Sequence, residues 1–240
     1  MPTEAATANY SKSYMRILGI DTSTRFLCLA IYDKGKVYSY NLEAGRRLSS
    51  LITVTIRNVL DAAGLKAGDI DYFACGVGPG SFTGLRIGIA TIKGLSWPLR
   101  KPVIAVSSLD ILSRNADACE EQVIPLLDAR RGLVYCAIYN KKNNVFRKKG
   151  SDMLLSSEEL FRKTQPGGIF LGDGTSLLGS QILSRVKNAV ILDRDFWYPK
   201  PHNIIELALE RISGAKANLS NAFKIKPEYL YPKDCQIRKR

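Results

Sequence analysis

The stretch Val77–Gly88 reads VGPGSFTGLRIG, and its glycines crowd the junction between an apolar run and a helical pattern. Backbone N–H groups at such a junction can hold an anion, and glycine lets the chain come close to it. Asp21, Thr22 and Ser23 close the first apolar strand in IDTST, where sites of α/β sheets open. Together, Asp21, Thr22, Ser23, Gly78, Gly80 and Ser81 have the chemistry of a nucleotide or anion site. The carboxylate would face a metal-nucleotide, and the hydroxyls and amides its phosphates. The specific fingerprints fail. No lysine follows Gly84 as a Walker A loop requires. After Gly78 and Gly80, threonine stands where a dinucleotide loop needs its third glycine, and no acidic residue sits near the ribose position about 20 residues on. Ser81 follows Gly80 directly, so GxSxG is absent. A generic anion site and a simple turn both remain open.

Other chemistry is sparse. His202 in PKPHN is the only histidine, which excludes HExxH and any paired-histidine metal site. Asp128 ends a second apolar run beside Arg130 and Arg131, a setting that reads as structural. Cys28, Cys75, Cys119, Cys136 and Cys235 are odd in number and form no CxxC, so neither zinc nor a disulfide framework is expected. No metal site is expected anywhere.

These residues sit in an α/β pattern. RILGID, FLCLAIY and KVYSYNL read as strands, followed by a helix over Leu48–Ala63 that Gly64 would cap. DYFACGV is a strand, Phe82–Pro98 a helix, PVIAVS a strand and SLDILSRNA a serine-capped helix. The pattern then restarts. Ile20–Tyr32 and Leu127–Tyr139 share an aspartate, a turn and an apolar strand in the same register, with VFRKK read as the third strand of the second copy. SSEELFRKT, GIFLGDG, SLLGSQILSRV, AVILD and a final helix IIELALERI follow. The expected organisation is a polar, disordered extension over residues 1–14 and a first domain over 15–108. A smaller second domain covers 109–232, its last helix able to pack back on the first, and a basic tail covers 233–240.

Two helix faces stand out. Gly84 and Gly88 lie one turn apart, and with Gly94 each costs about 1 kcal/mol against alanine in a helix interior. That face admits either a neighbour from the same domain or a partner's helix. In the preceding helix, Ile52, Ile56, Val59 and Leu60 form the main apolar face. Leu51, Val54, Thr55, Asn58 and Ala62 fall elsewhere, as a contact patch or as ordinary surface scatter.

Across 240 residues the net charge is +13, with 45% hydrophobic residues and no apolar run near the roughly 20 needed to span a bilayer. The N-terminus lacks the basic start and apolar core of a secretory signal, so a cytoplasmic protein is expected. The basic balance suits a polyanionic partner such as nucleic acid, or simply a solvated surface. Its densest runs are KKNNVFRKK and QIRKR.

At ILGIDTST, GPGSFTGLRIGIATIKGL, VSSLD and DARRGLVY the chain resembles the TsaB family (older name YeaZ) over roughly Met15 to Tyr231. The resemblance implies the actin-like ATPase and sugar-kinase fold: two α/β domains, each with a duplicated β-β-β-α-β-α core. It implies a bacterial, cytoplasmic, non-catalytic subunit that dimerises with TsaD, works with the ATPase TsaE and reaches tRNA through the complex. That complex moves threonylcarbamoyl from its adenylate to N6 of adenosine 37 in tRNAs reading ANN codons. The paired histidines of TsaD have no counterpart here. No cofactor bound tightly by this chain is implied; ATP or ADP would sit at the complex interface. The two first-domain helices would form the contact. Their residues would be Leu51, Val54, Thr55 and Asn58 on one, and Phe82, Gly84, Leu85, Gly88, Ile89 and Ile92 on the other. In the partner's absence, two copies would pair through the same helices. Many family members carry HSE where this chain has LSS at Leu48, which changes the polar detail of that contact. IDTST lacks the glycine of the superfamily's first phosphate loop, which argues against a small-molecule kinase or ATPase, the competing reading. A peptidase, a third reading, has no ligand set.

Overall fold

A computed structural model describes residues 15–116, 121–142, 145–214, 220 and 222–232. The extension over 1–14, the tail over 233–240, Cys119 and Cys235 lie outside the described residues. The chain divides into two compact units, Met1–Asn115 with Tyr198–Pro227, and Ala116–Trp197 with Glu228–Arg240. The first unit therefore runs past residue 108 and takes back a segment from beyond the second.

In the first unit, β1 (Arg16–Asp21), β2 (Phe26–Asp33), β3 (Lys36–Glu43), β4 (Tyr72–Gly78) and β5 (Val103–Ser107) form one sheet in the order β3-β2-β1-β4-β5. β2 runs antiparallel to β1 and β3, whereas β4 and β5 run parallel to β1. Both faces are covered, so the central strands are apolar throughout rather than alternating. On one face Leu18, Ile20, Leu29 and Phe73 pack with Ile52 and Ile56 of α1 (Leu48–Ala62) and Ile89 and Ile92 of α2 (Phe82–Ser96). On the other, Ile17, Ala30, Ala74 and Ile104 pack with Ile111 of α3 (Ser108–Ser113) and Ile204, Ile205 and Ala208 of a C-terminal helix.

That helix is the last of three. α4 (Ser157–Lys163) and α5 (Thr175–Arg185) lie in the second unit, and α6 (Pro201–Ser213) returns to the first. Gly19 makes the return possible: a Cβ there would lie 2.9 Å from Ile204. Asn203 then anchors α6 from a buried position, its Nδ2 donating to the Ile111 carbonyl at 3.0 Å and to Asn115 Oδ1 at 2.7 Å. Asn203→Ala should lower stability by about 1 kcal/mol or more, because the buried Ile111 carbonyl would lose this donor. Equilibrium urea unfolding measures this, and an unchanged midpoint would mean that α6 docks by apolar contact alone.

The second unit repeats the pattern with β6 (Val123–Arg130), β7 (Leu133–Cys136), β10 (Met153–Leu155), β11 (Ile169–Leu171) and β12 (Val190–Ile191) in the order β10-β7-β6-β11-β12. The two orders match strand for strand. VFRK does not take the third strand's place. It is β9 (Val145–Lys148), a hairpin with β8 (Tyr139–Lys142), and β10 occupies that position against β7. α4 opens with the expected capping box, Ser156 with Glu159.

Candidate functional site

Asp21 sits at the end of β1 and is buried, at 1% exposure. Its Oδ1 accepts from the Ser23 amide at 2.9 Å and the Ser23 hydroxyl at 2.6 Å, and its Oδ2 accepts from the Ser108 hydroxyl at 2.6 Å. Among the described residues it has no ion pair. Burial pushes its carboxyl above the ordinary value, and the hydroxyls of Ser108 and Ser23 and the Ser23 amide oppose that rise. The thiols of Cys28 and Cys75 are pushed up by burial and then by the Asp21 charge, so neither is a poised nucleophile. Gly76 of β4 faces the carboxylate so closely that a Cβ there would overlap Asp21 Oδ2.

The glycine loop lies on the turn after Asp21. Gly78 adopts φ +108°, a left-handed value that suits glycine. The Ser81 amide donates to the Ser23 carbonyl at 2.7 Å, and the Ser81 hydroxyl caps α2 by accepting from the Gly84 amide at 3.2 Å. The Thr22 hydroxyl donates to the Gly84 carbonyl at 2.8 Å. Cβ atoms added at Gly80, Gly84 or Gly88 would run into Ser23 or Thr22. All six residues of the expected anion site are thus together, but they face each other. The room at the start of α2 is taken by the chain's own Thr22–Ser23 turn.

The same packing corrects the expected contact face. Gly84, Leu85, Gly88, Ile89 and Ile92 are buried within the first unit, and so is Thr55. The glycine stripe admits the β1 turn, not another helix. On the outside stand Val54 and Phe82, each 53% exposed, with exposed Asn58 and half-buried Leu51. Arg86, one turn on from Phe82, lays its guanidinium 3.8 Å from the Phe82 ring centroid. No sequence pattern marks Gly76, and Ser108 is legible only as a helix cap, not as a partner of Asp21. Only the Phe82/Arg86 spacing of four held a usable signal.

Asp128, the repeat's counterpart of Asp21, behaves differently. It is half-buried, accepts from the Arg130 amide at 2.7 Å and pairs with the Arg130 guanidinium at 2.9 Å. His202 is exposed on the first turn of α6. Among the described residues no group of three or more His, Cys, Asp or Glu is placed to hold a metal ion. No described helix is long and apolar enough to cross a membrane.

A family profile described as "TsaD: tRNA N6-adenosine threonylcarbamoyltransferase" matches residues 42–229. The tRNA threonylcarbamoyladenosine biosynthesis protein TsaB of Bacillus subtilis (strain 168) is 33% identical over 167 residues, covering 68% of this chain and 73% of that protein. The chain belongs to the TsaB (YeaZ) family. TsaB of Escherichia coli (strain K12) is 29% identical over 206 residues, 84% of this chain and 89% of its own. The structure of YeaZ from Pseudomonas aeruginosa superposes with a TM-score of 0.76 at 30% identity, covering 90% of this chain and all of that one (100%). The two sheets of matching order are thus the two α/β domains of the YeaZ fold. As a TsaB-family chain it is a subunit of the system that makes threonylcarbamoyladenosine in tRNA.

Proposed function

We propose that this chain is a non-catalytic TsaB subunit that supports a TsaD-like catalytic partner by docking it on the outer face of α1 and α2. The observation that carries this reading is the closed first turn. Asp21 spends its carboxylate on Ser23 and Ser108, and Thr22 and Ser23 fill the mouth of the glycine loop. A turn packed on itself orients α2 and does not receive a phosphate. Beside it, exposed Val54, Asn58 and Phe82, with half-buried Leu51, offer the weakly polar patch of a docking face. In this reading a TsaE-like ATPase joins the pair, ATP or ADP belongs to an interface of the complex, and tRNA is modified on the partner. Alone, two copies pair through the same patch. The work is cytoplasmic, where tRNA is modified.

The test is threonylcarbamoylation of an unmodified tRNA transcript by purified TsaD-like and TsaE-like partners, with and without this chain. Activity should depend on the chain. Val54→Asp, on the exposed patch, should keep the fold and weaken partner binding about tenfold or more. Full activity without the chain, or normal partner binding by the variant, would defeat the proposal. ATP turnover by the isolated chain would move the reading to a kinase or ATPase.

A further inference from the structure

At the far end of α2 from Phe82 the chain turns through Trp97–Arg100 into β5. Fifteen helical residues put that end about 22 Å from Phe82. The segment beginning at Ser220 is pinned here, because Ser220 and Val103 exchange backbone hydrogen bonds at 2.8 and 2.9 Å. The pinning brings Phe223 against Trp97, edge to face, with ring centroids 5.3 Å apart. Both rings stay mostly in solvent, Trp97 at 63% and Phe223 at 64% exposure. Two large exposed aromatics held in contact are costly unless something uses them.

A cleft of about 430 Å³ opens beside them, lined by Ser96, Arg100 and Lys101 among others. Its charge is positive. Arg100 is exposed and has no ion pair among the described residues, and Lys101 has only Asp71, at 3.7 Å. Lys224, next to Phe223, is exposed as well. At its floor, Ser96 is fully buried, and its hydroxyl has no hydrogen-bond partner among the described residues. Native structures rarely leave a buried hydroxyl unmatched unless a ligand or water completes it.

We infer that this cleft binds a nucleotide of single-stranded RNA. The base would stack on Trp97 beside Phe223, the phosphate would meet Arg100 and Lys101, and a sugar or base polar group would satisfy the Ser96 hydroxyl. Aromatic platforms next to cations bind unpaired nucleotides in this way, with little dependence on sequence. The excess of cations favours RNA over an apolar protein segment, and the net charge of +13 points the same way. The choice of RNA rests on the proposed role in tRNA modification. The cleft makes this chain a direct contact for the substrate and not only a support for the partner.

Fluorescence anisotropy with a labelled single-stranded oligoribonucleotide and with an unmodified tRNA transcript tests the cleft on the isolated full chain at low salt. Trp97→Ala and Phe223→Ala should each weaken binding about tenfold, and Trp97→Tyr should retain it. Arg100→Glu should weaken it and flatten its salt dependence. Ser96→Ala should weaken RNA binding without lowering the melting temperature, since it removes a hydroxyl that folding leaves unmet. No RNA binding by the wild type, or equal binding by Trp97→Ala, would overturn the inference. So would a Trp97→Ala chain that binds RNA normally but no longer co-elutes with the TsaD-like partner, which would make the cleft a protein contact. The threonylcarbamoylation assay separates this result from the functional reading. A chain that binds RNA here yet leaves the complex unaided keeps the cleft and removes the subunit proposal.

Discussion

Alanine at Gly84 should destabilise the protein by about 3 kcal/mol, while alanine at Gly94, in the same helix, should stabilise it by about 1 kcal/mol. Helix propensity favours both changes equally, so the difference is packing. A Cβ at Gly84 would overlap the Thr22 carbonyl oxygen, a backbone atom that cannot turn aside. At Gly88 the obstacle is the Thr22 hydroxyl, which could rotate only by leaving the Gly84 carbonyl. Gly88→Ala should therefore fall between the two. At Gly94 nothing lies within 4 Å. Urea unfolding of the three variants gives the order directly, and equal midpoints for Gly84→Ala and Gly94→Ala would show that the β1 turn does not press on α2. This ordering also separates stability from partner binding. A variant at Gly84 that loses its partner has lost the seat of α2, whereas Val54→Asp acts on a surface the fold does not use.

What the sequence made legible was local. Ser156 announces a helix start because the capping hydroxyl and the Glu159 amide that donates to it lie three residues apart, whereas the helix expected to open on Ser108 is capped one residue earlier, by Ser107. The duplication showed through an aspartate, a turn and an apolar run in fixed register, and the matching strand orders follow from it. The repeat's element order makes VFRKK a strand without naming its neighbour: β9 pairs with β8, and β10 lies against β7 in the third strand's place. The glycine stripe of α2 was visible as a face ready for close approach, but its occupant, Thr22, lies 62 residues earlier in the chain. Ser108, 87 residues from Asp21, was missed for the same reason. On α1 the outer stripe keeps Val54 and Asn58 exposed and Leu51 half-buried, but not Thr55, which is buried. That residue stands one turn from both Leu51 and Ile52, at the border between faces, and packing against the core tips it inward. The Trp97–Phe223 pair joins residues 126 apart through a two-residue bridge, and no periodicity could reveal it.

Asp21 should prove to be a structural carboxylate, and two substitutions decide it. Asparagine can accept from the Ser23 amide and hydroxyl through Oδ1 and donate from Nδ2 to the Ser108 oxygen. Asp21→Asn should therefore keep the fold and the activity of the reconstituted complex. Asp21→Ala strands the buried Ser23 amide and both hydroxyls and should cost about 2 kcal/mol. A carboxylate that held a metal-nucleotide would lose its function in both variants. The pH dependence gives a second readout. Because the native carboxyl titrates above its unfolded value of 3.8, the folded protein takes up this proton first as pH falls. Its contribution to stability is then greatest below the unfolded value and is lost as pH rises through the native one. This is the reverse of a salt-bridged aspartate. Across a pH series of urea unfolding, the wild type should gain on Asp21→Asn as the solution becomes more acidic. A wild type that gains as pH rises would place a cation beside Asp21 and reopen the loop as a ligand site.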